Sequence, residues 1–161
     1  MTKYLKITAL VLIALLLQTT LLPAYLVDPF QPNLLIILVV YLGLKLPHRL
    51  GPAAALSLGI LQDCYSGLCF GLQAFSYLCI YLLLAEISDR LFTDNRLLLV
   101  IVVFLATVLN ALLNLVMLIV FSVSQGIYAS VLPAIIPQAL VNALAASILF
   151  NLPLPAPEEA R

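Results

Sequence analysis

The stretch LGPAAALSLGILQDCYSGLCFGLQAFSYLCIYLLLAEIS, residues 50–88, decides the fold. It holds two apolar runs separated by a polar segment at residues 62–67. A membrane-crossing helix needs about 20 apolar residues, so the stretch provides two short spans and little more. We therefore predict that the polar segment forms the turn between two spans and lies at or below the membrane surface, taking Asp63 to that depth.

Asp63 is the most deeply placed acidic residue of this arrangement, and it has two interpretations. An ionisable group at membrane depth is costly and often marks function, so Asp63 could bind a partner or a cationic group. In the structural interpretation, Asp63 and Ser66 accept hydrogen bonds from backbone N–H groups at the start of the fourth helix, while Gly67 and Gly71 permit a tight turn. No second carboxylate or basic partner lies at matching depth, so we favour a structural or partner-docking role over transport.

The composition of the whole chain is that of an integral membrane protein. Of its 161 residues, 65% are hydrophobic and 9% are charged, whereas soluble domains are about half apolar and a quarter charged. The length leaves no room for a second, soluble domain. Basic and acidic residues balance at seven each, so we expect no nucleic-acid partner, which would need a basic patch.

Six apolar segments predict an all-α membrane protein, a bundle of six transmembrane helices. The predicted spans are residues 4–22, 32–46, 50–62, 68–88, 97–121 and 128–152, and residues 153–161 form a flexible, Pro-rich cytoplasmic tail. The N-terminal segment lacks the small-residue cleavage site of a signal peptide, so we keep it as the first span. We expect Pro23 to follow the end of that span, and Pro133 and Pro137 to kink the sixth.

The basic residues predict the orientation. With six spans, all seven fall on one side of the membrane, and the positive-inside rule then places both termini in the cytoplasm. A five-span alternative would put the basic residues on opposite sides and is less well supported. The seven residues are Lys3, Lys6, Lys45, Arg49, Arg90, Arg96 and Arg161.

Four amide side chains interrupt the last two spans. Asn110 and Asn114 are four residues apart, as are Gln138 and Asn142, and residues four apart share a helix face. Both pairs lie near the middle of the bilayer. We expect these amides to hydrogen-bond to each other and hold the two helices together; the alternative is that they line a small polar pocket.

The third span carries a small-xxx-small pattern, Ala55 and Gly59, which permits close packing of helices. The three cysteines fit neither a disulfide framework nor a zinc site, although a bridge between Cys64 and Cys69 stays open. His48 is the only histidine, and no nucleophile set, metal cluster or phosphate loop can be assembled. We therefore expect no catalytic residue, no metal, no cofactor and no enzyme activity.

Together these features resemble the MreD family of bacterial rod shape-determining membrane proteins. The segments that carry the resemblance are QTTLL at residues 18–22, PNLL at residues 32–35 and, above all, GILQDCYSGLCFGLQA at residues 59–74. The third segment is similar to the family signature G-L-x-x-D-x-x-S-G-x-x-x-G-x-x-A, with Ile60 in place of the usual leucine. Length, span count and loop order agree along essentially the whole chain.

The resemblance implies a non-enzymatic scaffold of the cell-elongation machinery in the bacterial inner membrane. Its implied partners are an MreC-like single-span protein, membrane lipid and, indirectly, MreB filaments, RodA and a class B penicillin-binding protein. The family is also similar in its six-helix layout to the substrate-binding S components of energy-coupling-factor transporters. That similarity supplies the alternative, a small-molecule (vitamin) binding subunit of a transporter.

Overall fold

Six helices make up the part of the chain that the structure describes. The structure is a computed structural model and describes residues 11–27, 30–45, 51–66, 70–88, 96–121 and 127–151, in which no strand occurs. The helices are α1 (Val11–Tyr25), α2 (Leu34–Lys45), α3 (Gly51–Ser66), α4 (Leu72–Ser88), α5 (Arg96–Val120) and α6 (Ile127–Asn151). The predicted all-α class is therefore confirmed, whereas the predicted tail and His48 lie outside the described residues.

Two of the helices are long and apolar enough to cross a membrane, at Leu97–Val120 within α5 and Leu132–Phe150 within α6. With 25 residues each, α5 and α6 are about 37 Å long, which exceeds the roughly 30 Å hydrocarbon core of a bilayer. The described parts of α1, α2 and α4 are shorter apolar helices.

Helix α2 occupies the centre of the bundle. Every residue from 35 to 40 is buried, and four of them, Ile36, Ile37, Val39 and Val40, are fully so. The helix packs against α3, α4, α5 and α6. An α-helix that is apolar all round either lies in a protein core or spans a membrane, and the run LLIILVVYLGL of α2 has that character.

The polar segment at residues 62–67 does not form the predicted turn. Helix α3 continues through Asp63 to Ser66, and α4 begins at Leu72 rather than near residue 68. Between them, Phe70 and Gly71 lie in a turn, and residues 67–69 lie outside the described part of the chain. The helix extends further than expected because residues 62–66 contain neither proline nor glycine, and polar side chains alone do not end a helix.

The first helix does not end before Pro23, contrary to the prediction. It contains a π-helical turn at Leu17–Leu21, continues through Pro23 to Tyr25 and gives way to extended backbone at Leu26. A π turn is wider than an α turn, and its position just ahead of the proline gives the ring room. Helix α6 likewise includes both Pro133 and Pro137 without interruption; a kink there stays a prediction.

Helices α3 and α4 approach each other closely along a row of small residues. A Cβ atom added to Gly59 would lie 2.7 Å from the backbone nitrogen of Ala74, and one added to Gly51 would collide with the ring of Tyr81. Ala55, four residues from each glycine, is fully buried. The small-xxx-small pattern of Ala55 and Gly59 thus lies on the buried side of α3, where only a hydrogen atom fits at the glycine positions.

Candidate functional site

The Asp63 carboxylate joins the end of α3 to the start of α4. One oxygen, Oδ2, accepts backbone N–H groups from Gly71 at 2.9 Å and Ala74 at 3.1 Å, and Oδ1 accepts the N–H of Gln73 at 2.8 Å. The side chain is 4% exposed. The first N–H groups of a helix have no partner within it and favour a negative charge. Asp63 supplies both the acceptors and the charge, which is the geometry required by the structural interpretation of this residue.

The residues near Asp63 contribute unequally to the turn between α3 and α4. Ser66 does not cap α4 as predicted, because its hydroxyl donates to the carbonyl oxygen of Asp63 at 3.4 Å within its own helix. Gly71 has a φ of 98°, a left-handed conformation that residues with a Cβ atom rarely adopt. Gly67 lies outside the described residues. The turn therefore depends on Gly71 for its backbone conformation and on Asp63 for its side-chain hydrogen bonds.

Gln18 of α1 provides a second cap, at the start of α2. Its Oε1 accepts the backbone N–H of Leu34 at 3.1 Å and that of Leu35 at 3.4 Å, and its Nε2 donates to Oε1 of Gln62 at 3.0 Å. Gln18 lies in the π-helical turn of α1. One side chain of α1 thus accepts two of the unpaired N–H groups at the start of α2 and also bonds to α3.

Asn33 precedes α2 and connects it to α4 and α6. Its Oδ1 accepts the N–H of Ile36 at 3.2 Å, as an N-cap residue does. Its Nδ2 donates to the hydroxyl oxygen of Tyr77 at 3.0 Å. Its backbone N–H donates to Oδ1 of Asn142 at 2.7 Å, and Nδ2 of Asn142 donates in turn to Oγ1 of Thr107 at 3.1 Å.

These bonds join all six helices through one polar residue from each of five helices and, for α2, through its N-cap residue Asn33. We call this set the polar hub; its members are Gln18, Asn33, Gln62, Tyr77, Thr107 and Asn142. Tyr77 and Asn142 are fully buried and Thr107 is buried, whereas Gln18, Asn33 and Gln62 are half-buried. Buried polar groups that are paired with one another fix the relative positions of the elements that carry them.

The other predicted amides do not pair with one another. Oδ1 of Asn114 accepts the hydroxyl of Ser76 in α4 at 2.9 Å. Asn110 is buried, and its Oδ1 has no hydrogen-bond partner among the described residues. Gln138 is half-buried and forms no side-chain hydrogen bond within that part of the chain. The amides therefore serve different contacts: Asn142 bonds to Asn33 and to Thr107 of α5, and Asn114 bonds to α4. The expected amide–amide bonds between α5 and α6 do not occur among the described residues.

Of the six hub residues, only Asn142 was among the predicted site residues; Gln18, Asn33, Gln62, Tyr77 and Thr107 were not. Tyrosines in apolar runs are usually interfacial anchors, and threonine hydroxyls commonly bond within their own helix, as that of Thr107 also does with the Val103 carbonyl at 2.8 Å. Asn33 offered a usable signal, since an Asn after Pro32 and before an apolar run is typical of a helix N-cap.

Among the described residues, the site pairs hydrogen-bond donors with acceptors and brings no reactive groups together. In the described ranges, no group of three His, Cys, Asp or Glu side chains could hold a metal ion. Cys64 and Cys79 are free thiols, and Cys69 lies outside the described residues. What the site can do chemically is to orient helices.

An all-helical, strongly apolar chain with helices of membrane length, joined internally by a polar hub, is a helical membrane protein. A sequence profile described as rod shape-determining protein MreD matches residues 1–154. The chain therefore belongs to the MreD family, whose members are structural membrane proteins that determine rod shape, and the resemblance seen in the sequence is confirmed. No curated protein and no solved structure matches the chain significantly.

Proposed function

We propose that this chain is a non-enzymatic scaffold of the bacterial cell-elongation machinery. It holds an MreC-like single-span partner in the inner membrane and so helps to organise lateral peptidoglycan synthesis. MreB filaments, RodA and a class B penicillin-binding protein are its indirect partners. The observation that carries the proposal is the family match, which extends over residues 1–154 and so takes in almost the whole chain.

The internal polar contacts support a scaffold. Asp63, the one buried carboxylate of the described residues, has its oxygens occupied by three backbone N–H groups and is not available to a substrate. The polar hub joins the helices to one another. A protein that positions a partner needs such fixed geometry, because each flexible element would have to be ordered on binding.

We place six spans in the membrane, with both termini in the cytoplasm. The support is the distribution of charge, since all seven Lys and Arg residues fall on one side when six spans are counted. The hydrogen bonds fit this arrangement, because they bring the end of α3 to the start of α4 and the start of α4 towards the end of α5.

The alternative function, a small-molecule binding subunit of a transporter, has no support. That alternative needs amide side chains facing a common pocket, yet Asn142 bonds to Asn33 and Thr107, and Asn114 bonds to Ser76. No solved structure, S components included, matches the chain significantly.

Depletion of the protein in its own rod-shaped bacterium tests the proposal. We expect cells to widen and round as the protein is lost, and to regain rod shape when the wild-type chain is supplied again. The variant Cys64→Ser, at an exposed position, is the matched control and should restore shape fully. Rods of unchanged width after complete depletion would contradict the proposal.

A further inference from the structure

The most exposed aromatic side chains of this protein gather at one end of the bundle. They lie at the end of α1, in the connection to α2, at the end of α3, in the turn before α4 and just after α5. Among the described residues, the aromatic side chains that are more than half exposed are Tyr25, Phe30, Tyr65, Phe70 and Phe121. We call these five residues the aromatic collar.

Hydrogen bonds between helices align this end of the bundle. Gln18 of α1 bonds to Gln62 of α3, and the next residue along α3, Asp63, caps the start of α4. Two residues beyond the N–H groups that Asp63 accepts, Ser76 of α4 bonds to Asn114 of α5. These bonds follow one another from helix to helix, so they hold α1, α3, α4 and α5 at a similar height.

Four collar residues lie a short way beyond these bonds, all in the same direction. Tyr25 and Phe121 each come seven residues after the bonded amide of their own helix, which is about 10 Å at the rise of an α-helix. Tyr65 comes three residues after Gln62, about 5 Å along α3, and Phe70 lies in the turn beside it. The collar therefore occupies a narrow band at one height.

The rest of the bundle differs in its chemistry. The aromatic side chains that lie further towards the opposite end are buried or half-buried, namely Tyr41, Tyr81, Phe104 and Phe150. At that opposite end α2 finishes at Lys45 and α5 begins at Arg96. Near the collar, the one charged side chain of the described residues is Asp63, which is buried. One end is thus aromatic and uncharged at its surface, and the other carries basic residues.

The boundary between lipid headgroups and acyl chains is the environment that fits the collar. Aromatic side chains are enriched at this boundary, and the chain has no tryptophan, so tyrosine and phenylalanine are its candidates for the role. The collar extends over two helix pairs, because α3, which carries Tyr65, packs chiefly on α4, and α5, which precedes Phe121, packs chiefly on α6. A lipid layer meets both pairs at once, whereas a single partner helix would lie along one of them.

We propose that the aromatic collar lies at the headgroup–acyl boundary of one leaflet and anchors this end of the bundle there. The inference goes beyond the proposed function, because it requires only that the chain spans a membrane. It holds for either orientation of the chain.

Tryptophan fluorescence in vesicles tests the depth of the collar. Since the chain has no tryptophan, a single introduced tryptophan reports its own position. In phosphatidylcholine vesicles, Tyr65→Trp and Phe121→Trp should be quenched about two-fold more by lipids brominated near the headgroup than by lipids brominated near the chain end. Leu112→Trp is the control, at an exposed position of α5 about 13 Å from Phe121, and should show the opposite preference.

Two results in vesicles would overturn the inference. One is stronger quenching by chain-end bromine at either collar position, which would place the collar in the hydrocarbon core. The other is quenching by aqueous iodide with no effect of either brominated lipid, which would place this end of the bundle in water.

Photocrosslinking shows what covers the collar in native membranes. A benzophenone side chain in place of Phe70 should form adducts mainly with lipid. A protein as the main adduct would overturn the inference, because the collar would then be a protein interface.

Discussion

At the scale of the residue, Asp63 shows how a buried acid can be structural. A buried carboxylate is expensive in an apolar setting, yet three backbone N–H groups surround this one at 2.8–3.1 Å. The cap comes from the preceding helix because the residue at the usual capping position is Gly71, which has no side chain to offer. The charge of Asp63 is thus balanced by the start of α4.

Substitution of Asp63 should therefore destabilise the α3–α4 hairpin. In Asp63→Ala, three N–H groups lose their acceptors, and each unsatisfied buried donor costs about 1–3 kcal/mol. We expect a clear fall in the midpoint of thermal unfolding in detergent. Asp63→Asn keeps one acceptor oxygen and should lose less. The exposed neighbour variant Cys64→Ser should melt as the wild type does; an equal melting temperature for Asp63→Ala would show that the cap contributes nothing.

Gln18 should be comparably important although it lies on a helix whose side chains are mostly exposed. Gln18→Leu keeps the size of the side chain but removes the acceptor for Leu34 and Leu35 and the donor to Gln62. We expect a loss of about 1–3 kcal/mol in unfolding free energy. Gln18→Glu retains the acceptors and should lose less. Thr20→Val, an exposed polar-to-apolar change on the same helix, is the control. Equal stability of Gln18→Leu and Thr20→Val would contradict the assigned role.

The sequence predicts single residues only where their signal is local. The capping geometry of Asp63 could be expected from a short polar segment between two apolar runs. The contacts of Asn142 could not, because they depend on α2, which is more than 100 residues away along the chain. Nothing in the spacing of Gln138 and Asn142 shows that one joins the hub and the other does not.

At the scale of the element, the α3–α4 pair is defined by two glycines that act differently. Gly59 is needed for space, since its missing Cβ lets the backbone of Ala74 approach. Gly71 is needed for conformation, since its φ is 98° and nothing lies within 4 Å of where a Cβ would be. The first requirement belongs to the packing of two helices, and the second to the turn that joins them.

The two glycines should respond differently to substitution. Gly59→Ala must push α3 and α4 apart, and overpacking of this kind costs about 1–3 kcal/mol. Gly71→Ala meets no atom but must adopt a left-handed conformation, which costs about 1–2 kcal/mol. Gly71→Asn should recover part of that loss, because asparagine tolerates this conformation, whereas Gly59→Asn should be worse than Gly59→Ala. Thermal unfolding of the four variants measures these losses of stability. If Ala and Asn rank in the same order at both positions, the two glycines do not have different roles.

The sequence predicts the existence of a helix better than it predicts where the helix ends. The apolar runs indicate all six helices, but α1 passes through Pro23 and α3 passes through the polar residues 62–66. In both places a contact or a local distortion compensates the unfavourable residue: the π turn ahead of Pro23, and the use of Asp63 as a cap. Such compensation depends on neighbouring turns and helices, which a pattern of residue types does not contain.

At the scale of the whole molecule, the charge distribution predicts a single orientation. The central helix α2 is enclosed by its neighbours and joined to them by the polar hub, so the bundle should insert as one unit. In a cysteine-free background, Asp94→Cys should react with an impermeant maleimide only after the membrane is opened. Gln125→Cys should react from outside in intact spheroplasts. The opposite pattern, or labelling of both from one side, would refute the six-span arrangement.

The proposed role of this member of the MreD family is to hold a partner in the membrane. The most direct test is to isolate the affinity-tagged chain from native membranes at its natural abundance and to determine the mass of the intact complex. We predict a defined complex with an MreC-like single-span protein. Recovery of the chain as a lone monomer carrying a bound small molecule would contradict this role.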